Sequence, residues 1–235
     1  METRLTLGPG RVGHASGALY LEQTGTLMVA DAHLGYGWAQ RRRGQMGPVT
    51  DGGIGDRLVA VVREFAPVEI VFLGDTVHAP KPSPAERDMI EGTLRELMEM
   101  GRVRVVEGNH DRAFRRDFGH LEIAVTRDWR AGELLGLHGD RLHVELPEAE
   151  HYLLGHLHPA IVLADDAGVK RRAPAFLVGQ RATLLPAFSP FAAGFDVGRG
   201  ELPREVRELL GRHEVYVVTG KRIAKLPART SRSAR

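Results

Sequence analysis

Residues 68–78 read VEIVFLGDTVH. An apolar run ends abruptly at Gly74-Asp75, and His78 follows three positions later. A short apolar run closed by a turn residue reads as a buried strand, and open α/β sheets keep their ligands beyond the carboxyl ends of such strands. The same pattern recurs on both sides. Residues 26–30 (TLMVA) run into Asp31-Ala32-His33, and residues 103–106 (VRVV) run into a Gly108-Asn109-His110-Asp111 turn. Helical patterns fill the gaps. Residues 51–65 place Leu58, Val61, Val62 and Phe65 on one face, and Pro67 stops the helix. Ser83-Pro84-Ala85-Glu86 opens a second helix as a capping box with Pro at the first helical position; Ile90, Leu94, Leu97 and Met98 follow, and Gly101 ends it. The β-α-β-α-β order predicts an α/β fold with helices covering the sheet.

The second half has shorter strands, at residues 121–125, 133–137, 152–154, 175–178, 183–185 and 215–218, with one helix near 201–211. This predicts a second, partly antiparallel sheet packed on the first, and Phe188, Phe191 and Phe195 are expected inside it. No repeat, low-complexity block or linker divides the chain. Residues 1–220 read as one catalytic domain and residues 221–235, basic and without a carboxylate, as a flexible tail.

Composition narrows the function. The 235 residues are 43% hydrophobic and 26% charged, enough apolar material for a core. Without cysteine there is no disulfide framework, thiolate nucleophile, zinc finger or iron–sulfur cluster. Thirty-two basic residues against 30 acidic ones exclude a wholly basic nucleic-acid coat. With neither a signal-peptide pattern nor an apolar span of membrane length, a soluble cytoplasmic protein with no membrane association is expected. The 11 histidines are informative by placement. His138 follows LLGL, and Gly155-His156-Leu157-His158 follows HYLL. Five polar clusters, each just after an apolar run, point together to a metal site. Imidazole, carboxylate and amide donors without sulfur suit Mn²⁺, Fe or Zn²⁺. An extended His-x-His would set both rings on one side of the segment.

The succession DxH, GD, GNHD, H and GHxH across residues 31–158 resembles the calcineurin-like metallophosphoesterases. The resemblance implies a four-layer α-β-β-α sandwich of two mixed sheets flanked by helices, with a dinuclear metal site at the sheet edge. It assigns Asp31, His33 and His158 to one metal, Asn109, His138 and His156 to the other, and Asp75 to both, with Mn²⁺ the first choice. It makes His110 the proton donor to the leaving oxygen, with Asp111 orienting it or capping the segment that follows. His78, where many members carry Asp, becomes a phosphate donor.

Residues 27–44 (LMVADAHLGYGWAQRRRG), 184–197 (LLPAFSPFAAGFDV) and 214–223 (EVYVVTGKRI) are similar to the small SbcD-related, DNA ligase-associated members of that family. That similarity implies a compact endonuclease acting on single-stranded or structured DNA, with DNA preferred over RNA, a link to repair, and a DNA ligase and a helicase as contextual partners. Arg41, Arg42, Arg43 and Arg112 would track the phosphate backbone; Tyr36 and Trp38 would stack on a base or pack under a loop. The alternatives are a phosphomonoesterase or pyrophosphatase acting on a nucleotide, phosphoprotein or nucleotide-lipid, and a silent binding module. Oligomeric state stays open, a homodimer included. His14, His120, His143, His151 and His213 are expected to be ordinary sheet or loop polar groups.

Overall fold

A computed structural model describes residues 2–42, 44, 53–143, 146–164, 168–192 and 194–227. The chain opens with an antiparallel meander, β1 (Arg4–Gly8), β2 (Arg11–His14), β3 (Leu19–Leu21) and β4 (Thr26–Ala30). It passes through α1 (Tyr36–Arg42) and α2 (Ile54–Phe65) to β5 (Glu69–Leu73), then α3 (Pro84–Met100), β6 (Arg102–Val106), α4 (Phe114–Phe118) and β7 (Ala124–Thr126). β4, β5, β6 and β7 are parallel, so the first sheet runs in chain order, antiparallel in one half and parallel in the other.

The second sheet follows. It contains β8 (Trp129–Ala131), β9 (Leu134–Leu137), β10 (His151–Leu154), β11 (Pro159–Ala164), β12 (Lys170–Val178), β13 (Ala182–Leu184), β14 (Phe195–Asp196), β15 (Glu214–Val218) and β16 (Ile223–Lys225), with α5 (Arg204–Leu210) before β15. β10 is parallel to β9 and β13, while β12 runs antiparallel to β11, β13 and β15.

Strand alternation explains the layering. On β5, Ile70 and Phe72 point toward α2 and α3, where they meet Leu58, Val62, Leu94 and Leu97. Val71 and Leu73 point the other way and meet Leu153, Phe176 and Val218 of the second sheet. The far face of that sheet carries Leu135, Tyr152, Leu177 and Leu184 against Val206, Leu209 and Leu210 of α5. The order helix, sheet, sheet, helix is the four-layer sandwich expected from the sequence. A strand buried on both faces is apolar nearly throughout, as β4 is after Thr26. Each buried Leu, Ile or Phe contributes about 2 kcal/mol relative to exposure.

The helix signals act as read. Ser83 accepts a hydrogen bond from the Glu86 N–H while the Glu86 carboxylate accepts from the Ser83 N–H, and Pro84 opens α3. α2 ends at Ala66, in the left-handed region ahead of Pro67.

Four expectations are corrected. The segment read as a second-sheet strand at 121–125 becomes a 3-10 turn (Gly119–Leu121) followed by β7, which joins the first sheet because it continues the parallel ladder beside β6. Phe188 packs into the core between the first sheet and its helices, with Phe191 against it. The third phenylalanine, Phe195, is half-buried in the two-residue β14 and pairs with β11. Part of the basic segment 221–235 is ordered: Ile223–Lys225 pairs with β15, and Ile223 also bridges Glu2. Residues 228–235 lie outside the described residues. No helix among the described residues is long and apolar enough to cross a membrane.

One buried polar cluster joins the two sheets away from their carboxyl ends. Arg11 of β2 donates to His151 Nε2 of β10, and Thr183 Oγ1 of β13 lies 2.9 Å from that nitrogen. Burial, then the Arg11 charge, pushes the His151 pKa down to about 4. The unfolded chain takes up this proton near pH 6.5 and the folded one does not, so stability falls as pH drops from 6.5 to 4. His151→Gln is expected to flatten this acid limb, measured as urea midpoints across that range; parallel wild-type and variant curves would refute the assignment.

Candidate metal centre

The site is built where both sheets end. Asp31 and His33 leave β4, Asp75 leaves β5, and Asn109, His110 and Asp111 leave β6. From the second sheet, His138 leaves β9 and His156 and His158 leave β10. Parallel strands deliver these side chains to one edge because their carboxyl ends align.

The backbone there is strained. Among the described residues, the non-glycine residues with positive φ are Asp31, His33, Ala66, Asp75, Glu122, His156 and His158. Five of these seven are predicted ligands. Each such conformation costs about 1–3 kcal/mol and persists only where its surroundings enforce it. Here they do. His33 N–H donates to Asp75 O at 2.9 Å, Asp31 N–H to Gly74 O at 3.2 Å, and Phe188 and Ser189 N–H groups to Ala30 O and Asp31 O. The loops also touch without room for a side chain: a Cβ on Gly74, at φ +76°, would lie 2.1 Å from His138 Nδ1, and one on Gly108 2.4 Å from the Asp75 nitrogen.

Three groups of side chains bring ligand atoms within 4.8 Å of one another: Asp31, His33 and His158; Asp75, His138 and His156; and His33, His78 and His110. The first has the residues that the resemblance implies for one metal; the second joins Asp75 to His138 and His156, and Asn109, implied there too, lies with Oδ1 3.1 Å from His138 Nε2. Asp75 reaches both sets: Oδ1 lies 3.5 Å from His138 Nε2, and Oδ2 4.0 Å from His33 Nε2. His138 Nδ1 lies 3.1 Å from the Leu73 carbonyl, which accepts its proton and leaves Nε2 to face the cluster. His156 and His158 are not extended. Both are left-handed, Leu157 N–H turns back to Gly155 O, and the bend sends the two rings to different sets.

The donor set fits divalent cations. Acceptor atoms crowd together without enough protons to share: His156 Nδ1 is 3.2 Å from His138 Nε2, and Asp31 Oδ1 is 3.0 Å from His158 Nε2. His33 Nδ1 is buried with no hydrogen-bond partner. Burial, aided by neighbouring imidazoles, pushes the His33 pKa down to about 3 against the opposing Asp31 charge. Burial, then His138, lowers His156 as well. Neutral imidazole is the form that binds a cation. For His158 burial also acts downward, but Asp31 outweighs it and the pKa rises.

Asp111 does not orient the His110 ring. Its Oδ1 accepts from the Thr76 and Val77 N–H groups and its Oδ2 from Gly108 N–H, so both oxygens tie the β5 loop to the β6 loop. Burial first, and nearby Asp75, push this carboxyl up to about 7 although backbone donors oppose them. The His110 ring is held instead by His78 O, 3.3 Å from Nδ1, while its backbone N–H donates to Asp75 Oδ1. His78 stacks on His110, ring centroids 5.8 Å apart, and meets His33 edge-on at 5.3 Å. This imidazole trio was not separable in the sequence, because only the fold brings residue 78 beside residues 33 and 110.

The aromatic and basic positions are partly occupied. Tyr36 stacks on Phe191 at 5.2 Å and approaches His78 at 4.6 Å, so it packs under the loop. Trp38 receives the Arg41 guanidinium at 4.6 Å. Arg112 is exposed on the Asp111–Ala113 turn. The Arg42 side chain and Arg43 lie outside the described residues.

No family model matches the sequence, and no curated protein matches it. Among solved structures, the nuclease MPE of Pseudomonas putida matches over 95% of this chain and 100% of its own, at 24% identity and a TM-score of 0.70. The chain has the metallophosphoesterase fold. The phosphoesterase Yfce of E. coli is also similar, at 16% identity and a TM-score of 0.46 over 86% of this chain and 97% of its own. Within the metallophosphoesterase fold, the Phe188–Ser189 loop is an addition to the sequence reading: its N–H groups hold the backbone of Asp31, yet no periodicity marks it.

Asp111→Ala leaves three buried N–H groups without an acceptor. It is expected to lower the unfolding free energy by about 3 kcal/mol or more, whereas His110→Ala, whose ring is 40% exposed, stays within about 1 kcal/mol. Chemical denaturation checks this; an Asp111→Ala protein as stable as wild type would remove the loop-tying role.

Proposed function

We propose that the protein is a dinuclear-metal phosphodiesterase acting on nucleic acid, most specifically an endonuclease for single-stranded or structured DNA. The observation that carries this reading is the pair of ligand sets, Asp31/His33/His158 and Asp75/His138/His156, with Asp75 within reach of both. Asp31, His33 and His158 would hold one divalent cation and Asp75, Asn109, His138 and His156 a second, and a bound pair would supply the charge to clamp a phosphate and to make water nucleophilic at neutral pH. Mn²⁺ is the metal of choice, with Fe or Zn²⁺ as alternatives, because the donors are imidazole, carboxylate and amide.

This chain's own residues do the rest. Asp75 holds the two sets in register, and Asn109 completes the second. His110 directs Nε2 to within 4.0 Å of Asp75 Oδ2 while Nδ1 rests on His78 O, so Nε2 is the atom that delivers a proton to the leaving oxygen. His78, stacked beside it, contacts a non-bridging phosphate oxygen. Arg112 and the arginines at 41–43 add positive charge for a polyanion. The similarity to a nuclease over the whole chain supports a nucleic-acid substrate. A cytoplasmic setting, a repair role and association with a DNA ligase and a helicase follow from the same family reading.

The test is cleavage of circular single-stranded DNA by metal-stripped protein resupplied with Mn²⁺. Circles have no ends, so wild-type cutting, absent in His110→Ala, establishes an endonuclease. His110→Ala is expected to lose at least about 100-fold in rate while retaining two metals, and Asp75→Ala to lose both metals. Faster hydrolysis of p-nitrophenyl phosphate than of bis-p-nitrophenyl phosphate would favour a monoesterase instead. His78→Ala is expected to raise KM with metal content intact; a matching loss of metal would make His78 a ligand.

A further inference from the structure

Just beyond the metal centre, β11 begins at Pro159, one residue after His158. β11 and β12 form a hairpin whose outer part pairs with neither β13 nor β15: those strands take only residues 175–178 of β12. Residues 170–172 are Lys170, Arg171 and Arg172, all exposed. Strand alternation puts Arg171 on the same face as Ala173 and as its cross-strand partner Leu163. That face lines a groove of about 580 Å³.

The opposite wall is rigid and basic. Arg57 donates to Ser16 O at 3.2 Å and Phe188 O at 3.1 Å, with its guanidinium 4.7 Å from the Phe188 ring. The loop that carries Phe188 hydrogen-bonds through Phe188 and Ser189 to Ala30 and Asp31, so groove and metal centre share a wall. At one end lie Thr219 and Gly220, followed by exposed Lys221 and Arg222. Among the described residues, the lining holds Arg57, Arg171 and Arg172 and no carboxylate. It also holds exposed apolar surface, Leu163 at 39% and Val169 at 49%. The carboxylates nearest in sequence, Asp165 and Asp166, lie outside the described residues.

Cations without carboxylates, set beside apolar surface, complement a chain of phosphates carrying sugars and bases. We propose that the β11–β12 hairpin and Arg57 form a channel that grips a nucleic-acid strand where it runs away from the metal centre, with Arg171 contacting a phosphate. The inference rests on the proposed function for its choice of substrate, and it adds a second contact region remote from the reacting phosphate. Such a region distinguishes a polymer from a small diester.

The experiment compares wild type with Arg171→Gln, a change at an exposed position. Binding of a fluorescent oligothymidylate of about 20 nucleotides is followed by anisotropy in EDTA across a salt series, and bis-p-nitrophenyl phosphate hydrolysis is followed separately with Mn²⁺. The variant is expected to bind the oligonucleotide about threefold more weakly. Its log–log salt slope should fall by about 0.7, one single-strand phosphate contact, with diester hydrolysis within about twofold of wild type. Arg171→Glu should weaken binding further. Unchanged affinity and slope would overturn the channel, as would an equal loss on the small diester, which would make the hairpin a support of the metal centre. A shift in oligomeric state would instead make the hairpin an interface between copies, and also overturn it. Should wild type hydrolyse no phosphoester while the variant still loses affinity, the proposed function fails and the channel stands.

Discussion

Two carboxylates, Asp31 at 0% exposure and Asp75 at 3%, sit buried where the sheets end. Burying an ionised carboxylate costs several kcal/mol unless hydrogen bonds or cations compensate it. The protein supplies part of the compensation through backbone: His156 N–H donates to Asp31 Oδ2 and His110 N–H to Asp75 Oδ1. In each case the donor comes from a neighbouring ligand loop, so placing one carboxylate places the next histidine. The remaining oxygens face imidazoles, and a cation is the group that satisfies acceptors from both at once. The left-handed backbone at five of these positions follows from the same demand, because an extended strand end would carry the side chains past one another.

Asp111 supports that arrangement from below. It is a third buried carboxylate, at 2% exposure, but it meets only N–H donors. Its burial and its three donors fix the separation of the Asp75 and Asn109 loops, and hence how closely Asn109 can approach His138. Position in the fold, not residue type, separates a ligand carboxylate from a loop-tying one.

Much of this was legible in the sequence, for identifiable reasons. β4 and β5 are buried over almost their whole length and β6 ends in buried Val105 and Val106, so their apolar runs end sharply. α3 announces itself through Ser83, Pro84 and Glu86. The ligands were visible because each terminates such a run. The meander β1–β3 was not legible, since its strands are short and interrupted by Gly8, Gly10 and Gly17 turns. The outer half of the β11–β12 hairpin was missed because it covers no core: Lys170, Arg171 and Arg172 break the alternation that marks a buried strand. The loop-tying role of Asp111 was not legible because GNHD places it beside His110 in sequence, whereas its donor partners include the N–H groups of residues 76 and 77 on another loop.

The two ligand sets share one further property. Asp31 and His33 belong to the first sheet and His158 to the second; Asp75 belongs to the first, His138 and His156 to the second. During synthesis the first sheet emerges with its carboxylates long before β10 exists. Domains with contacts this distant in sequence close late, because the intervening loop entropy must be met before the contact forms. A nascent chain halted before residue 158 therefore lacks the last member of the first set, and no product shorter than that can carry the finished centre.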